Sequence, residues 1–327
     1  MLKIGYIGID VGGTKTRLCL FDKKFTVLED IKLKTTAFHS AESFTRALKQ
    51  SLNVLMKKGL ARRLEIENVG VGCAGTFNPD GSIKISLNIP FLRGYSFRSV
   101  IAKHTGANVI VTNDVAAGLY GEHQLGAAAG YKHAIGIFIG TGIGGAILLD
   151  GKIHRGPNGS AGDIGHYMLN VPNGSTRTRR RVLLNDIASR TAIAAAAAEL
   201  AACNQAPYLR RCAGKDSRHI TAGTLAAAIE HGDTSVKELV RGRCYMLGVA
   251  LSNFVDFLNP EIIVLGGGLA DRLPVIVRSA VEAGIRENSK CEPQADLKVA
   301  TTKLKGHAVA AGAAKLSADT ALSLIAA

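Results

Sequence analysis

Short apolar runs recur along the chain at Ile4–Ile9, Thr16–Phe21, Asn68–Gly72 and Val109–Thr112, and their length and spacing predict strands. Between them, apolar positions at helical spacing predict helices over Ala41–Lys58 and Ser96–Thr105, with Gly59 as the stop of the first. The second half repeats the plan. Strands are predicted at Ala134–Ile139, Ala146–Leu149 and Ile262–Leu265, and helices over Ile187–Ala202, Thr221–His231 and Ser235–Leu258. The tract Ala192–Ala202 is low in complexity, but alanine is the best helix former, so it reads as helix. Pro207–Arg218, with Gly214 and the basic residues Arg210, Arg211, Lys215 and Arg218, reads as a surface loop, and a last apolar helix is predicted from Ala308 to about Leu316. Strands and helices alternating in two successive series predict a layered α/β protein of two lobes.

The turns between strands carry the chemistry. Asp10, Gly12, Gly13, Thr14 and Lys15 lie between the first two apolar runs, in a turn without bulky side chains. There, backbone N–H groups can approach an anion, Thr14 offers a hydroxyl and Asp10 a carboxylate suited to magnesium. An ordinary Gly-Gly hairpin fits the same residues. Gly140, Thr141 and Gly142 repeat the arrangement between Ile135–Ile139 and Ala146–Leu149, an internal echo of the first turn. Gly140–Gly145 satisfy G-x-G-x-x-G, but a strand rather than a helix follows, which excludes the dinucleotide-binding reading; no G-x-x-x-x-G-K-[ST] string occurs either. A third signal, Gly266-Gly267-Gly268 after Ile262–Leu265, reads either as a strand-to-helix turn or as bare backbone on which a flat ring could lie.

Asn113 and Asp114 follow the strand Val109–Thr112 and precede an alanine-rich helix. Asn-Asp at such a junction serves as a helix cap, and it also sits where open parallel sheets bind ligands.

The chain has 327 residues, 47% of them apolar, enough for about two domains with sizeable cores. No apolar stretch is long enough to span a membrane, and Met1-Leu2-Lys3 leads directly into the first strand with no signal peptide, so a cytoplasmic location is expected. Six scattered cysteines without a C-x-x-C pair point to reduced thiols. The net charge of +14 favours polyanions without choosing among them. The densest basic run, Arg177–Arg181, reads as a solvated loop; no aromatic residue is interleaved with it, so nucleic acid is not an expected partner.

These glycine turns in this order, with Val111-Thr112-Asn113-Asp114-Val115-Ala116-Ala117-Gly118-Leu119-Tyr120-Gly121-Glu122 between the first two, resemble the ROK family of sugar kinases in the actin-like ATPase superfamily. Gly156-Pro157-Asn158-Gly159-Ser160-Ala161-Gly162-Asp163-Ile164-Gly165-His166 is similar to the family's sugar-contacting segment ending in Gly-His, and the resemblance covers nearly the whole chain. It implies a two-lobed, duplicated ribonuclease H-like fold with a central cleft. Residues 1–117 and about 303–327 would form the small lobe and 118–302 the large one, hinged near 114–120 and near 300. It implies ATP as donor and magnesium as cofactor. Asp114 would be the general base. Asn88, Asn113, Asp163 and His166 would contact the sugar, Gly12, Gly13, Thr14, Lys15, Gly140, Thr141 and Gly142 the phosphates, and Gly266 and Gly267 the adenine, with lobe closure excluding water. The resemblance also implies a homodimer.

The chain departs from the family in three places. Asp163 stands where a glutamate is usual, shortening the side chain by one methylene, about 1.5 Å. The family's cysteine cluster for zinc is missing after His166, so zinc is not expected and the ring lacks its usual orienting partner. Asn185 stands where a sugar-binding glutamate would align, next to Asp186. The leading expectation is an ATP-dependent kinase for a hexose or related sugar or polyol. Two alternatives remain: a polyphosphate-dependent glucokinase-type enzyme, and a catalytically impaired sugar-binding protein. The family's repressor branch carries a DNA-binding helix-turn-helix before the first glycine turn, and three residues precede Ile4 here, so the repressor arrangement is not expected.

Overall fold

The computed structural model describes residues 2–78, 80–172, 179–214, 216–290 and 296–325. They pack as two compact units, one of residues 1–130, 153–161 and 306–327, the other of 131–152 and 162–305.

The first unit is built on a five-stranded sheet. Strands β1 (Lys3–Val11), β2 (Thr16–Asp22) and β3 (Val27–Leu33) run as an antiparallel meander; helix α1 (Ala41–Ala61) then leads to β4 (Leu64–Cys73), parallel to β1. A short hairpin, β5 (Thr76–Phe77) with β6 (Ile83–Ile85), precedes α2 (Phe97–Thr105), β7 (Asn108–Asn113) parallel to β4, and α3 (Asp114–Leu125). The order across the sheet is β3-β2-β1-β4-β7. Phe44, Leu48, Leu52 and Leu55 line one face of α1 and are fully buried in the core against Ile7, Ile9, Leu18 and Val69.

The second unit follows the same plan. Strands β8 (Ala134–Ile139) and β9 (Ile143–Leu149) form an antiparallel hairpin, followed by β10 (Lys152–His154). A hairpin of β11 (Met168–Pro172) and β12 (Arg179–Leu183) leads into α4 (Leu184–Ala188), α5 (Arg190–Ala202), α6 (Pro207–Ala213), α7 (Ala222–Glu230) and α8 (Thr234–Leu258). Then come β13 (Ile262–Gly266), α9 (Gly267–Arg272), α10 (Pro274–Asn288), β14 (Lys298–Thr301) and α11 (Ala308–Ile325), the last of these in the first unit. The sheet order is β10-β9-β8-β13-β14, with β8, β13 and β14 parallel, so the sequence echo is a duplication of topology. Ile193, Ala194, Ala197 and Ala201 of α5 and Val236, Val240, Leu247 and Leu251 of α8 are buried in its core.

Helix α11 lies on the first unit's sheet because glycines let it. A side chain at Gly8 or Gly70 would collide with the α11 carbonyls of Ala310 and Ala313, and one at Gly312 would collide with the α3 carbonyl of Ala117. Where α11 begins, Arg17 donates to the Gly306 carbonyl and sits 3.2 Å from Asp30, which His307 also reaches at 3.3 Å.

Several elements differ from their expected form. Helix α1 runs through Gly59, which is buried where the helix meets β4, a Cβ there falling 2.7 Å from Ile66 Cδ1; the stop comes at Arg62 and left-handed Arg63 (φ 57°). The expected helix Ile187–Ala202 is broken at Ser189, whose hydroxyl caps α5. The expected loop Pro207–Arg218 is helical from Pro207 to Ala213, because proline suits the first helical position and Asp233 accepts the N–H groups of Tyr208 (3.2 Å) and Leu209 (2.8 Å). Lys215 lies outside the described residues. Of the basic run, Arg177 and Thr178 lie outside them too; Arg179–Arg181 are strand, paired with β11, rather than loop, and Arg180 and Arg181 are exposed. Helix α11 extends nine residues past Leu316 to Ile325. Cys19, Cys73, Cys203, Cys212 and Cys244 are free thiols; Cys291 is outside the described residues. Among the described residues no helix is long and apolar enough to cross a membrane.

Candidate functional site

In the first unit the expected residues gather at the carboxyl ends of the parallel strands. Asp10 of β1 is in register with Gly72 of β4, and the adjoining Cys73 with Asn113 of β7. Burial first and then the charge of Asp114 push the Asp10 carboxyl up to about 7, against the opposing charges of Lys15 and Arg17. Cys73, on the strand between these carboxylates, has its thiol pushed well up by burial and by Asp114 and Asp10. Sequence reasoning missed Cys73, because one apolar-strand cysteine signals only core.

The turn after β1 is closed by the Gly12 N–H donating to the Lys15 carbonyl at 3.1 Å, and Thr14 and Lys15 are exposed. Asn88 lies against this turn: a Cβ on Gly13 would fall 2.8 Å from the Asn88 Cβ. Asn113 caps α3, its Oδ1 accepting the N–H groups of Val115 (2.9 Å) and Ala116 (3.1 Å) while its amide donates to the Gly75 carbonyl at 3.4 Å. Asp114 Oδ1 accepts from the Val115 N–H at 3.0 Å. The cap expected from propensity is therefore present, and it fixes where the Asp114 carboxylate stands.

In the second unit the hairpin turn Gly140–Gly142 is held by the α4–α5 break. Asn185 Oδ1 accepts the Ile143 N–H at 2.7 Å, the Arg190 N–H donates to the Gly140 carbonyl at 3.0 Å, and the Thr191 hydroxyl donates to the Thr141 carbonyl at 2.8 Å. Asn185 also fills the space beside Gly142 and Gly165. Thr141 itself is exposed. Asp163 Oδ2 and His166 Nδ1 are 2.9 Å apart, and both side chains are half exposed. They border a cavity of about 300 Å³, otherwise largely apolar, lined by Ile135, Ile137, Ile147, Tyr167, Phe254 and Leu258.

Gly266 and Gly267 end β13 and start α9. Gly267 is glycine for two reasons, a φ of +87° and a backbone only 2.6 Å from where its Cβ would be, at Ile139. Gly266 is packed against Phe138 and Thr302. Gly268, part of the same expected turn but not among the residues expected to meet the adenine, is the one of the three with nothing within 4 Å of a Cβ position.

The ROK family model matches residues 6–320. The chain belongs to the ROK family. Among its ROK relatives, a glucokinase of Halalkalibacterium halodurans is 30% identical over 81% of this chain and 80% of its own. The N-acetylgalactosamine kinase AgaK of Shewanella is 27% identical over 81% and 82%. A ROK glucokinase of Streptomyces griseus, solved with glucose and AMPPNP, superposes with a TM-score of 0.82 at 26% identity, covering 96% of this chain and 99% of that one. The fold is thus that of the ROK kinases, the actin-like ATPase fold that the family resemblance implies.

Proposed function

We propose that the protein transfers the terminal phosphoryl group of ATP to a hydroxyl of a hexose or related sugar or polyol. The observation that carries this reading is the pair Asp10 and Asp114, mutually repelling carboxylates at the carboxyl ends of parallel strands, beside a glycine turn against which Asn88 packs. The named activities of the relatives and the glucose and AMPPNP bound by the Streptomyces griseus protein agree with it.

Phosphoryl transfer has a loose transition state, so the protein contributes position and charge neutralisation. Asp114, anchored by the α3 cap, takes the proton from the acceptor hydroxyl as the bond to phosphorus forms. Asn88, Asn113, Asp163 and His166 hold the acceptor; the Asn113 oxygen is taken by the α3 cap, so Asn113 meets the sugar through its amide N–H. Gly12, Gly13, Thr14, Lys15, Gly140, Thr141 and Gly142 hold the donor's phosphates, and Gly266 and Gly267 set the backbone on which the base lies. Asp10, a buried carboxylate raised to about 7 beside a second negative charge, is the kind of hard oxygen donor a divalent cation prefers, so Asp10 fits magnesium. That ion would supply charge neutralisation at the phosphates. Asn185 is assigned to the hairpin rather than to the sugar, because its Oδ1 holds the Ile143 N–H.

The test is ADP release against a panel of hexoses, N-acetylhexosamines and polyols, with and without magnesium. The reading predicts acceptor-dependent ADP formation that needs the metal. Sugar binding without ADP release would instead support a non-catalytic sugar-binding protein. Initial rates with ATP and with polyphosphate distinguish the donors, a comparison that the net charge of +14 makes worthwhile.

A further inference from the structure

Arg190 opens α5 immediately after the Ser189 break, and its own backbone N–H is bonded to the Gly140 carbonyl of the hairpin turn. Its guanidinium is half-buried. Two neutral acceptors take it up at long range, the Ile220 carbonyl at 3.3 Å from one terminal nitrogen and the Thr191 hydroxyl at 3.4 Å from the other. The Thr191 hydroxyl in turn donates to the Thr141 carbonyl at 2.8 Å. The guanidinium is therefore one side-chain hydroxyl away from the glycine turn.

No carboxylate among the described residues pairs with it. Asp186, in α4 on the other side of the Ser189 break, is exposed and forms no ion pair with it, and Asp216 near the Ile220 end is held by Arg218 at 2.7–3.0 Å. Burial without a compensating anion pulls the Arg190 pKa below its ordinary value. A cation removed from water without a counter-charge costs stability unless something negative arrives. Guanidinium offers five N–H donors in a planar fork matched to phosphate oxygens, and only two weak bonds engage it here.

We propose that Arg190 is a phosphate-binding residue for a condensed-phosphate donor held at the Gly140–Gly142 turn. The glycines supply backbone N–H groups, and Arg190 supplies the charge that this turn otherwise lacks. The inference rests on the reading of that turn as a phosphate loop, and it applies to the phosphate chain shared by a nucleotide and by inorganic polyphosphate.

Calorimetry tests it without turnover. ADP and tripolyphosphate are titrated into the parent protein and into Arg190→Gln and Arg190→Lys, with the melting temperature of each variant measured alongside. Glutamine keeps a donor for the Ile220 carbonyl but removes the charge; lysine keeps the charge but loses the fork. The expected result is a roughly ten- to hundredfold weaker Kd for both ligands in Arg190→Gln, a smaller loss in Arg190→Lys, and melting temperatures close to the parent's. Weakening of ADP and tripolyphosphate together marks the phosphate chain. Binding within twofold of the parent in Arg190→Gln would overturn the proposal, as would equal losses in the two variants accompanied by a fall in melting temperature, which would mark a structural role. A parent that binds neither ligand overturns it as well. A parent that binds ADP through Arg190 but phosphorylates no sugar would leave Arg190 assigned and sink only the kinase reading.

Discussion

Asn185 and Ile143 are joined by a 2.7 Å hydrogen bond from the Ile143 N–H to the Asn185 side-chain oxygen, which fastens helix α4 to the first residue after the Gly140–Gly142 turn. A side-chain amide at this position thus shapes the turn proposed to hold the donor's phosphates. Asn185→Ala should raise the KM for the donor about three- to tenfold, the effect of one lost hydrogen bond, with the sugar KM little changed. Asn185→Asp keeps an acceptor for the same N–H and should lose less. Steady-state kinetics with each substrate varied in turn separate the two. A selective rise in the sugar KM would return Asn185 to the sugar.

Asp10 makes stability depend on pH. Its folded pKa of about 7 lies above the ordinary carboxylate value, so between about pH 4 and 7 the folded protein retains a proton that the unfolded chain has released. Stability from this group therefore falls as pH rises through that window, and the full cost is present above pH 7. Asp10→Asn should raise Tm at pH 8, by roughly 2–4 °C for each kcal/mol recovered, and leave it nearly unchanged at pH 3.5. Thermal melts of both proteins across pH 3.5–8 check the sign.

Gly267 and Gly268 are adjacent but should respond oppositely to alanine. At Gly267 the left-handed backbone and the 2.6 Å approach of Ile139 make Gly267→Ala destabilising by about 2 kcal/mol or more. Gly268 sits in α9 with open space around it, so Gly268→Ala should hold or slightly raise Tm. If the nucleotide base lies on this backbone, the same variant raises the KM for ATP. Melting curves and ATP titrations of the two variants test both statements.

Much of this architecture was legible in the sequence. The glycine turns announced themselves because a strand-turn-strand pattern occurs twice with the same residue types, and the structure turns that echo into two sheets of the same order. The position of Asn113 and Asp114 after an apolar run likewise gave their place at a strand end. What escaped depended on partners distant in the chain. Nothing local shows that Asp233 caps the helix at Pro207 or that Gly59 is buried against Ile66. Arg190 escaped for the same reason: among the described residues its guanidinium pairs with no carboxylate, and its backbone N–H is bonded to Gly140, fifty residues earlier.

Asp163 and His166, 2.9 Å apart, set a second specificity test. Restoring the longer side chain with Asp163→Glu advances the carboxylate by about 1.5 Å. The account predicts a changed ranking of sugar acceptors by kcat/KM with the ATP KM unaltered. An unchanged acceptor ranking would place this pair outside the acceptor's reach.

The central claim is that Asp114 removes a proton from a sugar hydroxyl. The most direct measurement is the single-turnover rate of Asp114→Asn with saturating ATP, magnesium and the best acceptor, alongside its affinity for both. The account predicts a rate lower by about 10²–10⁴ with affinities within a few-fold of the parent, since asparagine keeps the size and an acceptor for the Val115 N–H. A rate within tenfold of the parent would contradict it.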